Sequence, residues 1–246
     1  QIGILKRIVV IDLYEPGTQY VLINPEIISV KGEQEVQEGC LSFPNKFGKV
    51  ERPKEVVVEA LDLDGNVWIW GYKYSKTATK LTTVENIVDI SMTYAVDQKG
   101  NVFKIQDGTK MNMVDILRVS EGENHTLFLR KDGKGYAIGG NTKGQLGIGT
   151  TKDSSVPVVI KDENGTKELN NIKELKAGKE FSMALANDGT TYVWGSNENY
   201  KLATTQETNQ VIPKKNTTSA LAVDDVETIR YWIYSPGDNA CKWDEF

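Results

Sequence analysis

A short phrase, Asp64-Gly65-Asn66-Val67-Trp68-Ile69-Trp70-Gly71, recurs three more times in this 246-residue chain. The later copies begin at Lys99-Gly100, Asp132-Gly133 and Asp188-Gly189, so the turn glycines lie 35, 33 and 56 residues apart. Asp-Gly between alternating apolar residues predicts a β-hairpin, because both residues tolerate the positive φ that a type I′ turn requires. Apolar runs at 92–96, 125–129 and 181–185 supply the strand before each of the last three turns. Further strands are expected at 87–90, 113–116, 156–160 and 172–175.

Each unit therefore reads as strand, turn, aromatic strand, loop and further strand. One such unit cannot bury its apolar faces alone, and unequal spacing around a repeated hairpin points to propeller blades with loop insertions. The expected fold is mainly β, an incomplete β-propeller of about three to four blades. Trp68, Trp70, Tyr136, Tyr192 and Trp194 alternate on hairpin strands and are expected to pack between blades. The glycine-rich run 144–149 lacks the following helix start and Lys-Ser/Thr of a phosphate loop, so a tight blade connection is expected there.

Residues 1–66 have a different texture. Strands are expected at 7–13, at 20–23 and 27–30 on either side of Asn24-Pro25, and at 55–61, with Pro16-Gly17 as a turn. The stretch 55–63 should pair across Asp64-Gly65 with residues 67–72 as one hairpin. Cys40, beside Gly39, is by itself a partly buried structural thiol. Within this stretch Gln1-Ile2-Gly3, Asn24-Pro25, Glu38-Gly39-Cys40-Leu41-Ser42 and Arg52-Pro53 follow one another in an order and spacing that resemble the peptide deformylases. The resemblance implies that Cys40 matches a metal ligand. It also implies that Gln1 and the Leu41 N–H match the groups that bind the reacting carbonyl oxygen. The family completes its metal site with two histidines four apart on a helix and a glutamate base between them. Metal-assisted amide hydrolysis needs about three protein ligands, an open position and a base. This chain contains one histidine, His125. The implied site is vestigial: the general base and both histidine ligands are missing, and no cofactor is expected. Iron(II), nickel or zinc would enter only if a second chain completed the site in trans.

The third repeat unit carries its own resemblance. Gly122-Glu123-Asn124-His125-Thr126-Leu127, Asp132-Gly133, Tyr136-Ala137, Gly139, Asn141, Gly144-Gln145-Leu146-Gly147-Ile148-Gly149 and Pro157 together look like the regulator of chromosome condensation repeat. The fourth unit departs from it, with Phe181 where the repeat has histidine and Tyr200-Lys201-Leu202-Ala203 where it has glycines. His125 is accordingly expected to be structural. Half a ring does not imply the nucleotide-exchange activity known for the eukaryotic repeat protein.

The domains expected are a truncated deformylase-like segment at 1–66 and a repeat segment at 67–246. The first residue is Gln1 rather than Met, which favours a fragment, a processed chain or a chimera without evolved function. Net charge of −5 without a basic cluster argues against nucleic acid as partner. No apolar run approaches the roughly 18 residues of a membrane span. The two cysteines, Cys40 and Cys241, form no disulfide framework, so a bacterial cytoplasmic location is the default. The expected function is a non-catalytic protein-binding module. Partners are another protein or a second copy, joined through open blade faces, and marginal stability or oligomerisation follows. The alternative is a deformylase, removing formyl groups from N-terminal methionine. A final strand is expected at 226–234.

Overall fold

The computed structural model describes residues 8–12, 19–39, 47–71, 75–203, 208–216, 232–234 and 241–243. The chain forms two compact units, Gln1–Ile87 and Val88–Phe246.

The first unit is one antiparallel sheet in the order β1 (Ile8–Asp12), β2 (Gln19–Gly39), β3 (Phe47–Leu61), β4 (Val67–Gly71) and β5 (Ser75–Lys80). The runs expected at 20–23 and 27–30 are not separate. They belong to the single strand β2, which absorbs Asn24-Pro25 through register shifts at Ile23/Glu26 and Ile27/Ser29. Proline has no N–H for the ladder, and both sides pair with the same partner β3, so the strand bulges instead of ending. The expected hairpin across Asp64-Gly65 is present, with Leu61 opposite Val67 and Val57 opposite Gly71. Its apolar side buries Val57, Leu61, Val67 and Ile69.

The second unit holds three blade-like sheets. They are β6 (Ile87–Ile90), β7 (Tyr94–Asp97) and β8 (Val102–Lys104); β9 (Ile116–Glu121), β10 (His125–Arg130), β11 (Gly135–Gly139) and β12 (Ser154–Val159); and β13 (Ile172–Ala177), β14 (Phe181–Ala186), β15 (Thr191–Gly195) and β16 (Gln210–Lys215). A short ribbon pairs β17 (Trp232–Tyr234) with β18 (Cys241–Trp243). The first part of the strand expected at 226–234 lies outside the described residues. Among the described residues no helix is long and apolar enough to cross a membrane.

The four turns are alike, but they are not type I′. Only the glycines have positive φ: +76° at Gly65, +85° at Gly100, +78° at Gly133 and +81° at Gly189. Each glycine N–H donates to the carbonyl three residues earlier, at Asp62, Asp97, Arg130 or Ala186. That pattern is a type I turn closed by a left-handed glycine, the three-residue hairpin loop. A second bond links three of these turns to the next repeat. The carbonyls of Gly65, Gly100 and Gly133 accept the N–H groups of Ile87, Ile116 and Ile172 at 3.0 Å each. The residue before each isoleucine, Asn86, Asp115 or Asn171, is itself left-handed. This corrects the strand expected at 113–116. Asp115 at φ +60° breaks the extended path, so β9 starts at Ile116 and Met113 is buried in the core.

Successive strand residues face opposite sides, and the central strands are buried on both, as all six residues of β14 are. Phe128 joins Tyr94, Val96, Ile116 and Val119 in one cluster. Leu127 and Leu129 join Ile172, Leu175, Ala184 and Trp194 in another. Each cluster fills the space between neighbouring sheets of the second unit.

Candidate functional site

A buried polar group sits where the β9–β12 sheet meets the β13–β16 sheet. His125 opens β10, and its Nε2 lies 2.8 Å from Ser182 Oγ on β14. Ser182 Oγ donates to the Gln145 carbonyl at 2.8 Å, and Trp194 Nε1 donates to the same oxygen at 2.8 Å. Since the serine proton is committed to a carbonyl, the serine oxygen accepts from His125, which fixes the tautomer as Nε2–H. Nδ1 is buried without a hydrogen-bond partner. Burial lowers the His125 pKa from its ordinary 6.5 to about 4, so the ring is neutral. A histidine that donates to serine cannot take the serine's proton, and both groups are closed to solvent. This pair is a joint between blades and not a nucleophile with its base.

The loop 144–149 is part of the same joint, as expected from its missing phosphate-loop features. Asn141 organises it: its Oδ1 accepts the Leu146 N–H, and its Nδ2 donates to the carbonyls of Thr150 and Lys152. Gln145 Nε2 reaches Asn124 Oδ1 at 3.0 Å. The fourth repeat copies this arrangement without the glycines, Asn197 Oδ1 accepting the Leu202 N–H at 2.9 Å. Its backbone nevertheless keeps glycine-like angles, φ +57° at Tyr200 and +52° at Ala203. A Cβ in the left-handed region costs about 1–2 kcal/mol, partly offset because glycine gains more freedom on unfolding. Ala203→Gly is therefore expected to stabilise the chain by up to about 1 kcal/mol in urea denaturation; a loss of stability would show that this loop is not strained.

Of the aromatic residues singled out in the sequence, Trp194, Tyr192 and Tyr136 pack between sheets. Trp68 instead ties down its own hairpin, its Nε1 donating to Asp62 Oδ2 at 2.8 Å. Asp62 Oδ1 also accepts the N–H groups of Asp64 and Asn66, and Oδ2 accepts Asn66 Nδ2. Burial pushes the Asp62 carboxyl up, but these hydrogen bonds outweigh it and hold its pKa below the ordinary value. Asp97 repeats the arrangement with Lys99 and Asn101. These aspartates and Ser182 were not picked out in the sequence, and Gln145 was read only as part of the 144–149 block. The repeated spacing Asp62-x-x-Gly65-Asn66 and Asp97-x-x-Gly100-Asn101 carried the signal for the first pair.

The deformylase-type residues Gln1, Cys40 and Leu41 lie outside the described residues. Among the described residues no group of three or more His, Cys, Asp and Glu side chains is placed to hold a metal.

The three blade-like sheets, with hairpins in one register, define an incomplete β-propeller. The chain carries two family segments. Residues 1–73 match the polypeptide deformylase family model, and residues 132–185 match that of the regulator of chromosome condensation (RCC1) repeat. A peptide deformylase of Finegoldia magna is 58% identical over 67 residues, which is 27% of this chain and 41% of that protein. The chain spans about four-tenths of the length of the deformylases it first matches. The X-linked retinitis pigmentosa GTPase regulator of Canis lupus familiaris is 38% identical over 96 residues, 39% of this chain and 9% of that protein. In fold, the chain resembles Prp20p of Saccharomyces cerevisiae, a structure reported with its binding properties to Gsp1p and histones. The TM-score is 0.52 at 20% identity, covering 71% of this chain and 53% of Prp20p.

Proposed function

We propose that the chain is a non-catalytic, propeller-type protein-binding module fused to a deformylase segment that no longer does chemistry. One observation carries this reading. The residues after Leu61 enter β4 and β5 in blade register, with Val57 opposite Gly71 as His125 is opposite Gly139 and Phe181 is opposite Gly195. The deformylase match ends at residue 73, and β5, the strand paired with β4, follows it directly without a histidine. The chain's one histidine is spent on the joint with Ser182. The binding of Gsp1p and histones by Prp20p supports protein partners as the ligand class. On this reading the family boundary falls within residues 64–66, the chain works in the cytoplasm, and it binds a protein or a second copy of itself.

Formyl-Met-Ala-Ser incubated with the purified chain and iron(II) or nickel is expected to release no formate above the protein-free rate. Turnover would overturn the non-catalytic reading. Affinity capture with the purified chain is expected to retain a protein that a deformylase lacking the repeats does not. The motif Glu38-Gly39-Cys40-Leu41-Ser42 favours one second reading, a deformylase completed in trans. Formate release only after addition of a fragment bearing the histidine helix would establish it. If neither capture nor complementation gives a signal, a chimera without evolved function remains, and the encoding DNA read across residue 65 decides it.

A further inference from the structure

The edge of a sheet is open to another strand, because one row of backbone N–H and C=O groups there has no ladder partner. Lysine, proline, other charges or mere shortness guard an edge against such pairing. Among the described residues most edges carry one of these guards. β5 has Lys76 and Lys80, β12 has Pro157, and β16 has Pro213 and two lysines. The strands β6, β9 and β13 each contain a charged residue. β8, β17 and β18 are three residues long. The stretches of β2 and β3 that run past their other neighbours are rich in Lys, Glu and Pro.

β1 is the exception. It is an end strand of its sheet, and it reads Ile8-Val9-Val10-Ile11 before Asp12, four β-branched residues in a row. Its pairing with β2 runs without a register shift, so no bulge twists the free edge away. Val9 and Val10 point to opposite faces of the sheet, yet they are 44% and 68% exposed, and Ile8 is 52% exposed. Neither face of the strand is covered. Such an edge is a template for strand addition, in which the added main chain completes the ladder and β-branched cross-strand pairs reinforce it.

We propose that β1 is a self-association surface and that its occupant is β1 of a second copy, running antiparallel. An aliphatic edge fits a strand of its own kind, and among the described residues β1 is the strand that offers one. Charge placement sets the direction. The strand's only charge is its last residue, so antiparallel pairing puts the two Asp12 residues at opposite ends of the ladder, whereas parallel pairing sets them side by side. Symmetry sets the register. A two-fold axis normal to the sheet passes between equivalent residues, and Val10 is the middle of the five, so centring there pairs the whole strand. Val10 then lies opposite Val10, and Val9 opposite Ile11. The product is a closed dimer whose joined sheet ends on the lysine-bearing β5 of each copy, which stops further growth. This surface belongs to the deformylase-type sheet and not to the repeat blades, so it goes beyond the protein-binding reading, and either can fail without the other.

Light scattering on the full chain, over a micromolar to millimolar concentration series, tests it. The unaltered chain is expected to dimerise. Val10→Lys and Val10→Glu each set like charges opposite one another across the axis, and each is expected to raise the dimer dissociation constant at least about 10-fold. Mixed in equal amounts the two variants are expected to regain the dimer, since lysine then lies opposite glutamate. Val156→Lys, on the exposed edge of β12, is expected to leave association unchanged. If a Val10 variant does not fold, amide hydrogen exchange on the unaltered chain decides: alternate amides of Ile8–Asp12 are expected to slow as concentration rises. A chain that stays monomeric throughout the series would overturn the proposal. So would exchange in β1 that ignores concentration, or a mixture that fails to regain the dimer. A dimer kept in both Val10 variants but lost in Val156→Lys would assign the interface to the blades instead.

Discussion

Trp194→Ala is expected to cost about 3–5 kcal/mol. The side chain is fully buried among Leu127, Leu129, Leu146, Ile160 and Leu175, so its removal leaves a cavity bounded by two sheets. The substitution also takes away the Nε1–H donor to the Gln145 carbonyl, which fastens the 144–149 loop to β15. Gly147 sits so close to the ring that a Cβ there would approach Nε1 to 2.8 Å, so the loop backbone packs directly on the indole. Typical domains have only about 5–15 kcal/mol in total, so the variant should be largely unfolded at modest urea. Trp194→Phe keeps most of the apolar contact and loses the hydrogen bond, with an expected cost of about 1–3 kcal/mol. Urea titration followed by near-UV circular dichroism measures both. Equal midpoints for Trp194→Ala and the unaltered chain would refute the account of this joint.

Stability is expected to fall on mild acidification, and His125 to be the cause. Its folded-state pKa, about 4, lies below the 6.5 of the unfolded chain because burial disfavours the charged ring. The unfolded state therefore takes up the proton first. The full contribution is present above about pH 6.5, is lost as pH falls toward 4, and changes no further below that. Roughly 2 kcal/mol should be gone by pH 5. Because the chain has one histidine, His125→Phe isolates the effect, and Phe181 shows that phenylalanine fits this register position on β14. The variant loses the bond to Ser182, but its urea midpoint should be nearly flat between pH 7 and 5. The aspartates Asp62 and Asp97, held below their ordinary pKa by hydrogen bonds, titrate lower still and leave that window clear. A wild-type midpoint that does not move over this range would mean that the ring is charged in place.

The repeat hairpins were legible because glycine and aspartate report directly on backbone angles. The turn type was not. Asp64 and its counterparts were read as left-handed, whereas the tight loop needs only one residue there and glycine takes it. The start of β9 was misplaced for a related reason. Apolar content at 113–116 looked extended, and nothing in composition marks Asp115 as left-handed until its neighbour's bond to Gly100 is seen. Pro25 was read as a terminator, yet a long partner strand carried the chain past it. The bonds of Ser182 to His125 and to Gln145 were invisible because they join residues 57 and 37 apart in sequence.

The hairpin at Asp62–Asn66 has a consequence for how such chains can be recombined. A strand keeps its inside and outside by parity, and a slip of one residue inverts every side chain that follows. Two unrelated sequences can be spliced without that inversion only where both already count residues alike on either side of the cut. The glycine turn is such a place: Leu61 opposite Val67 and Val57 opposite Gly71 keep the parity of Leu129 opposite Gly135 and His125 opposite Gly139. Glu59, fully buried, occupies the place that Leu127 and Met183 hold in the later repeats. A hairpin turn of this type therefore keeps phase across a cut, which makes it a natural crossover point for building new blades from foreign strands.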